Sequence, residues 1–359
     1  MVQVRVSSLE IGDVLLADVL THRGNILFYK GTVLTERDLE ILKAFMIDEV
    51  SIDPSASKHG IQEDPDDRSS GSSLSDAQIF EQHYEQLLQI MKRAFKNTSA
   101  AEDLPIVEMR NHLEIMVQHY DYQDLLITAE DKIRVKDYLF HKSIGVGLIS
   151  YYLASWSKFK AKDLMPAALA GLLHDIGNME IDPALLNKPG RLTAEEMEEV
   201  KKHTIIGYNL LKPVKGINEG VKLAALQHHE REDGSGYPLG LTGDKIHPYA
   251  KVVAIADVFY AMTHSTKYQH ARSPYVVLEQ LTQDAFGKLD PAFVQTFIHK
   301  LTQHQIGYTI RLSCGRIGKI VYADSANPTR PWVEVQGEII NLTQKRDLYI
   351  AEVISHQLE

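Results

Sequence analysis

Two acids set in apolar surroundings constrain this chain more than any other feature of its sequence. Asp257 ends the run Val252-Val253-Ala254-Ile255-Ala256-Asp257, and His174-Asp175 follows the apolar stretch Leu164 to Leu173, just before Gly177. A carboxylate in such a run is costly to bury unless it is paired or bound to a metal. A chain that keeps both acids has to bring compensating groups to them from elsewhere. The candidates are histidines. The chain has 16 of them, and a lone one would mean little, because most are surface or satisfied core residues. His-Asp and His-His pairs within one helical region are a stronger signal. His203 follows Val200-Lys201-Lys202, and His228-His229 lies on a further helical stretch that starts at about Val221. Neighbouring residues on a helix diverge by about 100°, so His174 and Asp175 can touch a metal pair from two sides, with the carboxylate bridging. His174, Asp175, His203, His228, His229 and Asp257 together offer four imidazoles and two carboxylates. That donor mix suits Mn, Fe or Zn better than Ca or Mg, which prefer shells of oxygen.

The sequence around these residues divides into segments. Residues 1–53 mix short β-like runs, Val14 to Leu20 and Ile26 to Tyr29, with turn signals at Gly12-Asp13, Gly24-Asn25 and Gly31. A short helix is expected after Thr35, a candidate N-cap, with Leu39, Leu42 and Phe45 on one face. This is a small α+β module with no evident catalytic pair, expected to be regulatory. Residues 54–75 hold Glu63-Asp64-Pro65-Asp66-Asp67 and Ser69-Ser70-Gly71-Ser72-Ser73. They carry too little apolar surface to offset chain entropy and read as a flexible linker. Residues 76–305 are helical in pattern, with a core at 125–300. Ile79, Tyr84, Leu87, Leu88, Met91 and Phe95 mark a stripe that packs either on its own domain or against a second copy of the chain. Residues 306–359 turn β-rich, with alternation at Tyr308 to Leu312 and punctuation at Gly315, Gly318, Asn327-Pro328 and Gly337. Pro328 to Trp332 reads as a packed turn corner. The fold class expected is mainly α, a helical metal-binding domain flanked by a small N-terminal α+β module and a small C-terminal β-rich module.

Composition narrows the functional classes. Hydrophobic residues make up 44% of the 359 and charged residues 24%, ordinary for a soluble globular protein. A formal net charge of -10 gives no global basic field for DNA or an anionic membrane; an anionic nucleotide would need a local cluster of cations or metal. Cys314 is the single cysteine, so no intramolecular disulfide forms, which fits a reducing compartment. It reads as a small buried side chain. The N-terminus lacks the charged-then-apolar pattern of a signal peptide, and Leu164 to Leu173 is about half the ~20 residues that cross a bilayer. A cytoplasmic location is expected. There is no Gly-Lys phosphate loop of the triphosphatase type.

Several motifs occur together and in order. Leu172-Leu173-His174-Asp175-Ile176-Gly177 resembles the signature of the HD phosphohydrolase superfamily. His228-His229-Glu230-Arg231-Glu232-Asp233-Gly234-Ser235-Gly236-Tyr237-Pro238 resembles the motif that defines its HD-GYP branch. Leu185 to Thr193 is similar to the segment that connects them, and Ala254 to Phe259 to the helix carrying the last ligand. The similarity covers about half of the chain. It implies a phosphodiesterase for the bacterial second messenger cyclic di-GMP, or a related nucleotide, with one or two ions of Fe or Mn. By the same resemblance Asp175 bridges, His174 and Asp257 complete one metal site, and His203, His228 and His229 the other. His174 and Asp175 are then catalytic, while Arg231 and Tyr237 contact substrate.

The chain also departs from that family. The upstream motif Tyr-x-x-x-His-Ser-x-x-Val, whose histidine is a ligand, is here Tyr138-Leu139-Phe140-His141-Lys142-Ser143-Ile144-Gly145-Val146. Lys142 falls at the ligand position and His141 one residue early. Either a local bulge returns His141 to the site, or that ligand is lost. Loss is the favoured alternative, with the Lys142 ammonium directed at His174, Asp175 and Asp257 in place of a metal. Asn178 stands where the family has a phosphate-holding lysine, and Gln269 after Tyr268 where it has an arginine. Three functions fit: a cyclic di-GMP phosphodiesterase, a non-catalytic relative that binds the nucleotide or a signalling protein, and a hydrolase for another nucleotide phosphate.

Overall fold

The computed structural model describes residues 74–96, 104–126, 137–188, 190–265 and 271–355, together with short stretches between 2 and 52. The expected helix N-cap at Thr35, the side chain of Phe45, nearly all of the expected linker at 54–75, and Tyr268 with Gln269 lie outside the described residues. The chain forms two compact units, Met1–Ser72 and Ser73–Glu359.

In the first unit β1 (Val2–Arg5) pairs antiparallel with β4 (Glu49–Ile52), and β2 (Val19–Leu20) with β3 (Ile26–Phe28). Leu9, Leu15, Leu34, Leu42, Val50 and Ile52 contribute to a small core of its own.

The second unit is mainly α. Its helices are α1 (Asp76–Lys96), α2 (Ile106–Gln118), α3 (Tyr138–Trp156), α4 (Ala161–Leu173), α5 (Pro183–Leu186), α6 (Ala194–Lys201), α7 (His203–Leu211), α8 (Glu219–Gln227), α9 (Pro248–Thr263), α10 (Pro274–Asp284) and α11 (Pro291–Thr302). Local chemistry sets many of the boundaries. Pro248, Pro274 and Pro291 open α9, α10 and α11, where the absent N–H is no loss. Thr193 and Glu196 close a reciprocal capping box on α6. Asn218 caps α8 through the amide of Val221. The stripe on α1 is buried within the chain: Leu87, Leu88, Met91 and Phe95 belong to the main core.

At the centre α3 and α4 pack closely. A Cβ on Gly171 of α4 would lie 2.6 Å from the Val146 carbonyl oxygen of α3, closer than real side-chain contacts allow. α9 crosses the same region with Val252, Val253, Ile255 and Ala256 buried. Beyond α4 the chain tightens into a 3-10 turn, Ile176–Glu180, against which α7 packs.

The C-terminal strands β5 (Thr309–Leu312), β6 (Ile317–Tyr322), β7 (Trp332–Val335), β8 (Glu338–Asn341) and β9 (Ile350–Ser355) form an antiparallel sheet ordered β8-β7-β6-β5-β9. Its inner residues Ile310, Leu312, Ile320, Val333, Val335, Ile340, Ile350 and Val353 join the helical core in one continuous cluster. Polar anchors hold the layer in place. Arg330 pairs with Glu279 and also donates to the Leu348 carbonyl, and Tyr308 donates to Gln123 at 2.9 Å. Pro331 is buried, so the turn at 328–332 is a packed corner. Cys314 corrects an expectation: it is exposed, not buried. It sits in the turn after β5, outside the alternation that directs Ile310 and Leu312 inward, and its sulfur accepts from Arg316. Among the described residues no helix is long and apolar enough to cross a membrane.

Gly177 positions the site most directly. A Cβ there would lie 1.9 Å from the His203 carbonyl oxygen, so any side chain forces α7 away from the 3-10 turn. Gly177→Ala is expected to cost about 1–3 kcal/mol, read as a lower denaturant midpoint at unchanged slope. A midpoint equal to that of the parent would refute this packing account.

Candidate metal centre

Three helix ends and one helix middle deliver the candidate ligands. His174 caps the C-terminus of α4, with Asp175 next to it. His203 is the first residue of α7, directly after α6. His228 caps α8, and His229 follows it. Asp257 lies in the middle of α9 and Lys142 near the start of α3. His174, Asp175, His203, His228 and Asp257 are buried.

The ligand atoms fall into two groups that share Asp175. Those of Asp175, His203, His228 and His229 all lie within 4.8 Å of one another, and so do those of His174, Asp175 and Asp257. All six residues named from the sequence are therefore brought together.

Backbone bonds fix the tautomers of three of the imidazoles. His174 Nδ1 donates to the Gly171 carbonyl at 2.7 Å and His203 Nδ1 to that of Val200 at 2.7 Å. His228 Nδ1 donates to the carbonyls of Ala224 and Ala225, each at 3.1 Å. With the proton on Nδ1, a neutral ring turns the Nε2 lone pair inward, the arrangement a metal requires. His203 Nε2 and His228 Nε2 face each other at 3.3 Å, and both approach Asp175 Oδ1, at 3.4 and 3.7 Å. Two lone pairs in that position repel unless a cation lies between them. A tetrahedral shell with bonds of about 2.1 Å spaces its ligand atoms about 3.4 Å apart. The Asp175-His203-His228-His229 group therefore fits one divalent ion.

The other group is different. Lys142 Nζ donates to Asp175 Oδ2 at 2.8 Å and lies 2.7 Å from Asp257 Oδ1 in a second ion pair. His174 Nε2 stands 3.2 Å from Asp175 and 3.5 Å from Asp257. His141 does not enter the site: its Nδ1 is bonded to the Tyr84 hydroxyl at 2.6 Å, and the two rings stack. Of the two alternatives left open by the upstream motif, the one that turns Lys142 to the acids is the one observed.

Electrostatics follow from this geometry. Burial works against ionisation of Asp175 and Asp257, but His174 and Lys142 outweigh it, and both carboxyls stay well below the usual carboxylate range. Burial likewise opposes charge on Lys142, yet the two carboxylates hold it above the ordinary lysine value. His174 is raised to about 9 because Asp175 overcomes the burial penalty. Burial pushes His228 down to about 4, and also depresses His203 and His229.

The loop after His229 closes one side of the site. The Tyr237 ring stacks on His229 with centroids 4.7 Å apart, and the Lys201 ammonium lies 5.3 Å from the Tyr237 centroid. Arg231 is turned to the backbone, donating to the carbonyls of His228 and Glu230. Asn178 is buried in the 3-10 turn beside Asp175. Glu230 was not singled out from the sequence. It is buried and accepts from the amides of Leu239 at 2.7 Å and Leu241 at 2.9 Å, tying the Gly-Tyr-Pro loop to the His228-His229 corner. An acid between His229 and Arg231, just ahead of a glycine-rich turn, was the available signal.

Residues 130–293 match the HD domain family. Over this segment, somewhat less than half of its length, the chain is similar to that family. It is 31% identical to "Cyclic di-GMP phosphodiesterase PA4108" of Pseudomonas aeruginosa over 55% of this chain and 48% of that protein. It is 39% identical to "Cyclic di-GMP phosphodiesterase" of Thermotoga maritima over 50% of each. The chain thus spans about half the length of these curated relatives. Among solved structures, Bd1817 of Bdellovibrio bacteriovorus, an HDG"Y"P protein, is similar with a TM-score of 0.51 at 20% identity. The match covers 82% of this chain and 97% of that one, and shows a shared fold.

Two outcomes are expected from the site as built. In the unfolded chain the imidazoles of His203, His228 and His229 take up protons near pH 6.5, whereas folded His228 resists to about 4. The unfolded state then binds more protons across that window, so metal-free protein loses stability as pH falls from about 6.5 to about 4. Thermal unfolding of chelator-treated protein checks this; a midpoint that stays level across the window contradicts it. Separately, Glu230→Ala removes a charged acceptor from two loop amides. Hydrogen exchange at Leu239 and Leu241 should quicken roughly ten- to hundredfold, and unchanged exchange there would show that the loop is held by other means.

Proposed function

We propose that the helical domain is a metal-dependent phosphodiesterase that opens cyclic di-GMP to the linear dinucleotide, with GMP as a further product. What carries this reading is the convergence of Asp175, His203, His228 and His229 on one point, with Nδ1 of His203 and His228 engaged by backbone and Nε2 turned inward. The relatives named as cyclic di-GMP phosphodiesterases supply the substrate. Fe or Mn is the ion that suits imidazoles mixed with carboxylate. A divalent ion held by these residues would supply hydroxide at neutral pH and positive charge for the phosphate oxygens.

The chain's own residues do the remaining work in this proposal. Asp175, His203, His228 and His229 are the metal ligands, and His174 and Asp257 form the adjoining half of the site. The Tyr237 ring, flat against His229, gives a base or ribose an apolar surface next to the reacting phosphate. Lys201 beside that ring and Arg231 behind it set positive charge along the groove. The units at 1–53 and 306–359 are proposed as regulatory or interaction modules.

A second reading rests on a separate observation, the Lys142 ammonium between Asp175 and Asp257. In that reading the domain binds cyclic di-GMP, or a protein partner, without turnover.

Incubation of the full chain with cyclic di-GMP and Mn(II), or Fe(II) without oxygen, separates the two. The expected product is the linear dinucleotide, and its formation should fall at least about a hundredfold in His203→Ala and His228→Ala. Recovery of intact, tightly bound nucleotide would replace the enzyme with the binder. Hydrolysis of a nucleoside monophosphate alone would sink both.

A further inference from the structure

Building on the metal-dependent reading, we propose that this site takes a single divalent ion, held by Asp175, His203, His228 and His229, and that the Lys142 ammonium permanently replaces a second ion between Asp175 and Asp257. The two halves of the site differ in how their charge is met. In the histidine-rich half, the Nε2 atoms of His203 and His228 lie 3.3 Å apart with both Nδ1 atoms engaged by backbone carbonyls, the spacing of two ligands on one divalent ion. In the acidic half a cation is already built in. Lys142 Nζ is 2.8 Å from one carboxylate and 2.7 Å from the other, and its side chain is only 14% exposed. A divalent ion placed on His174, Asp175 and Asp257 would meet that ammonium at short range in a medium that screens poorly.

The lysine is not free to swing away. α3 is fixed in rotation by Tyr84, which holds His141 on a different side of the helix, and by Gly145, where α3 meets the Tyr260 ring. One residue along a helix is a turn of about 100°, so while His141 faces Tyr84, Lys142 faces the acids. His141 therefore cannot restore a second metal site without unwinding α3.

Charge balance gives the substitution a purpose. Two carboxylates, one ammonium and one divalent ion leave the pocket with one positive charge before any proton on His174 is counted, suited to a phosphodiester. An ammonium has three N–H donors, and two of them are directed at Asp175 and Asp257. Unlike a second metal, it cannot bind water as a ligand. Lys142 thus occupies the acidic half as a tethered point charge.

The test is a metal count that does not depend on turnover. Full-length protein is stripped with chelator, reloaded with Mn(II), freed of excess ion and analysed for elemental content. The wild-type chain should retain about one ion, and its Mn(II) spectrum should be that of an isolated ion, not an exchange-coupled pair. Lys142→His, which exchanges the ammonium for a ligand, should retain about two ions, and Lys142→Arg, which keeps the charge, about one. His228→Ala should lose the ion and His174→Ala keep it. Two ions or a coupled spectrum in the wild-type protein would overturn the proposal while leaving metal-dependent chemistry standing. So would a folded Lys142→His that still holds one, or an ion lost from His174→Ala and kept in His228→Ala. No ion in any variant would overturn both this proposal and the metal-dependent reading beneath it. The wild-type count decides the matter even where Lys142→His fails to fold.

Discussion

The Asp175 carboxylate is the constraint on which the site depends. It is buried, and one oxygen faces His203 and His228 while the other faces Lys142 and His174. Desolvating a carboxylate costs several kcal/mol unless opposite charge and hydrogen bonds replace the lost water. Every element of the helical core is placed to meet that demand. α4 carries the acid in, α3 and α9 bring Lys142 and Asp257 to one side of it, and α6 to α8 bring imidazoles to the other. The close contacts at Gly171 and Gly177 let these helices approach near enough for side chains as short as aspartate and histidine to touch.

Helix ends give the site a second bias towards cations. His174 bonds a carbonyl in the last turn of α4, His203 one in the last turn of α6, and His228 two in the last turn of α8. Last-turn carbonyls are short of partners within their own helix, those of Val200 and Ala224 receiving only a cap amide besides the imidazole, and the negative ends of three helix dipoles gather there. A single bond type thus completes the helix end, fixes the imidazole tautomer and adds negative potential where a metal would sit. The acidic half lacks this arrangement at Asp257, which is in mid-helix, and its charge is met by a side chain.

How much of this was legible in the sequence depended on how local each determinant is. The six residues that converge at the site were, because a polar residue in an apolar run and paired histidines are visible within a few positions. The helical and β-rich regions were, from periodicity of the same range. The choice between His141 and Lys142 was open, because it turns on Tyr84, which is 57 residues away in the chain and reaches His141 through tertiary packing. Glu230 was passed over because its partners are backbone amides at Leu239 and Leu241, which leave no trace in side-chain pattern. Cys314 was misplaced because composition favours burial for cysteine, whereas a turn position overrides it. The alternation in 306–355 marked strands but could not say that their inner face would join the core of the helices.

The overall charge of the chain sharpens what the site has to do. At -10, the protein as a whole repels a dinucleotide phosphate. Charges beyond about 8 Å are largely screened at physiological ionic strength, so attraction is supplied by what lies within a few ångströms of the phosphate. Of the groups near the site, Lys142 is neutralised by the acids it bridges, Arg231 is engaged with backbone carbonyls, and Lys201 rests over Tyr237. None of them is an unencumbered phosphate clamp, and Asn178 adds no charge. An ion held by Asp175, His203, His228 and His229 would therefore be what turns the pocket positive: without it two carboxylates meet one fixed ammonium and whatever proton His174 holds. Under the proposed function, loss of metal would remove both the source of hydroxide and the net attraction for the phosphate, so binding and chemistry would be lost together.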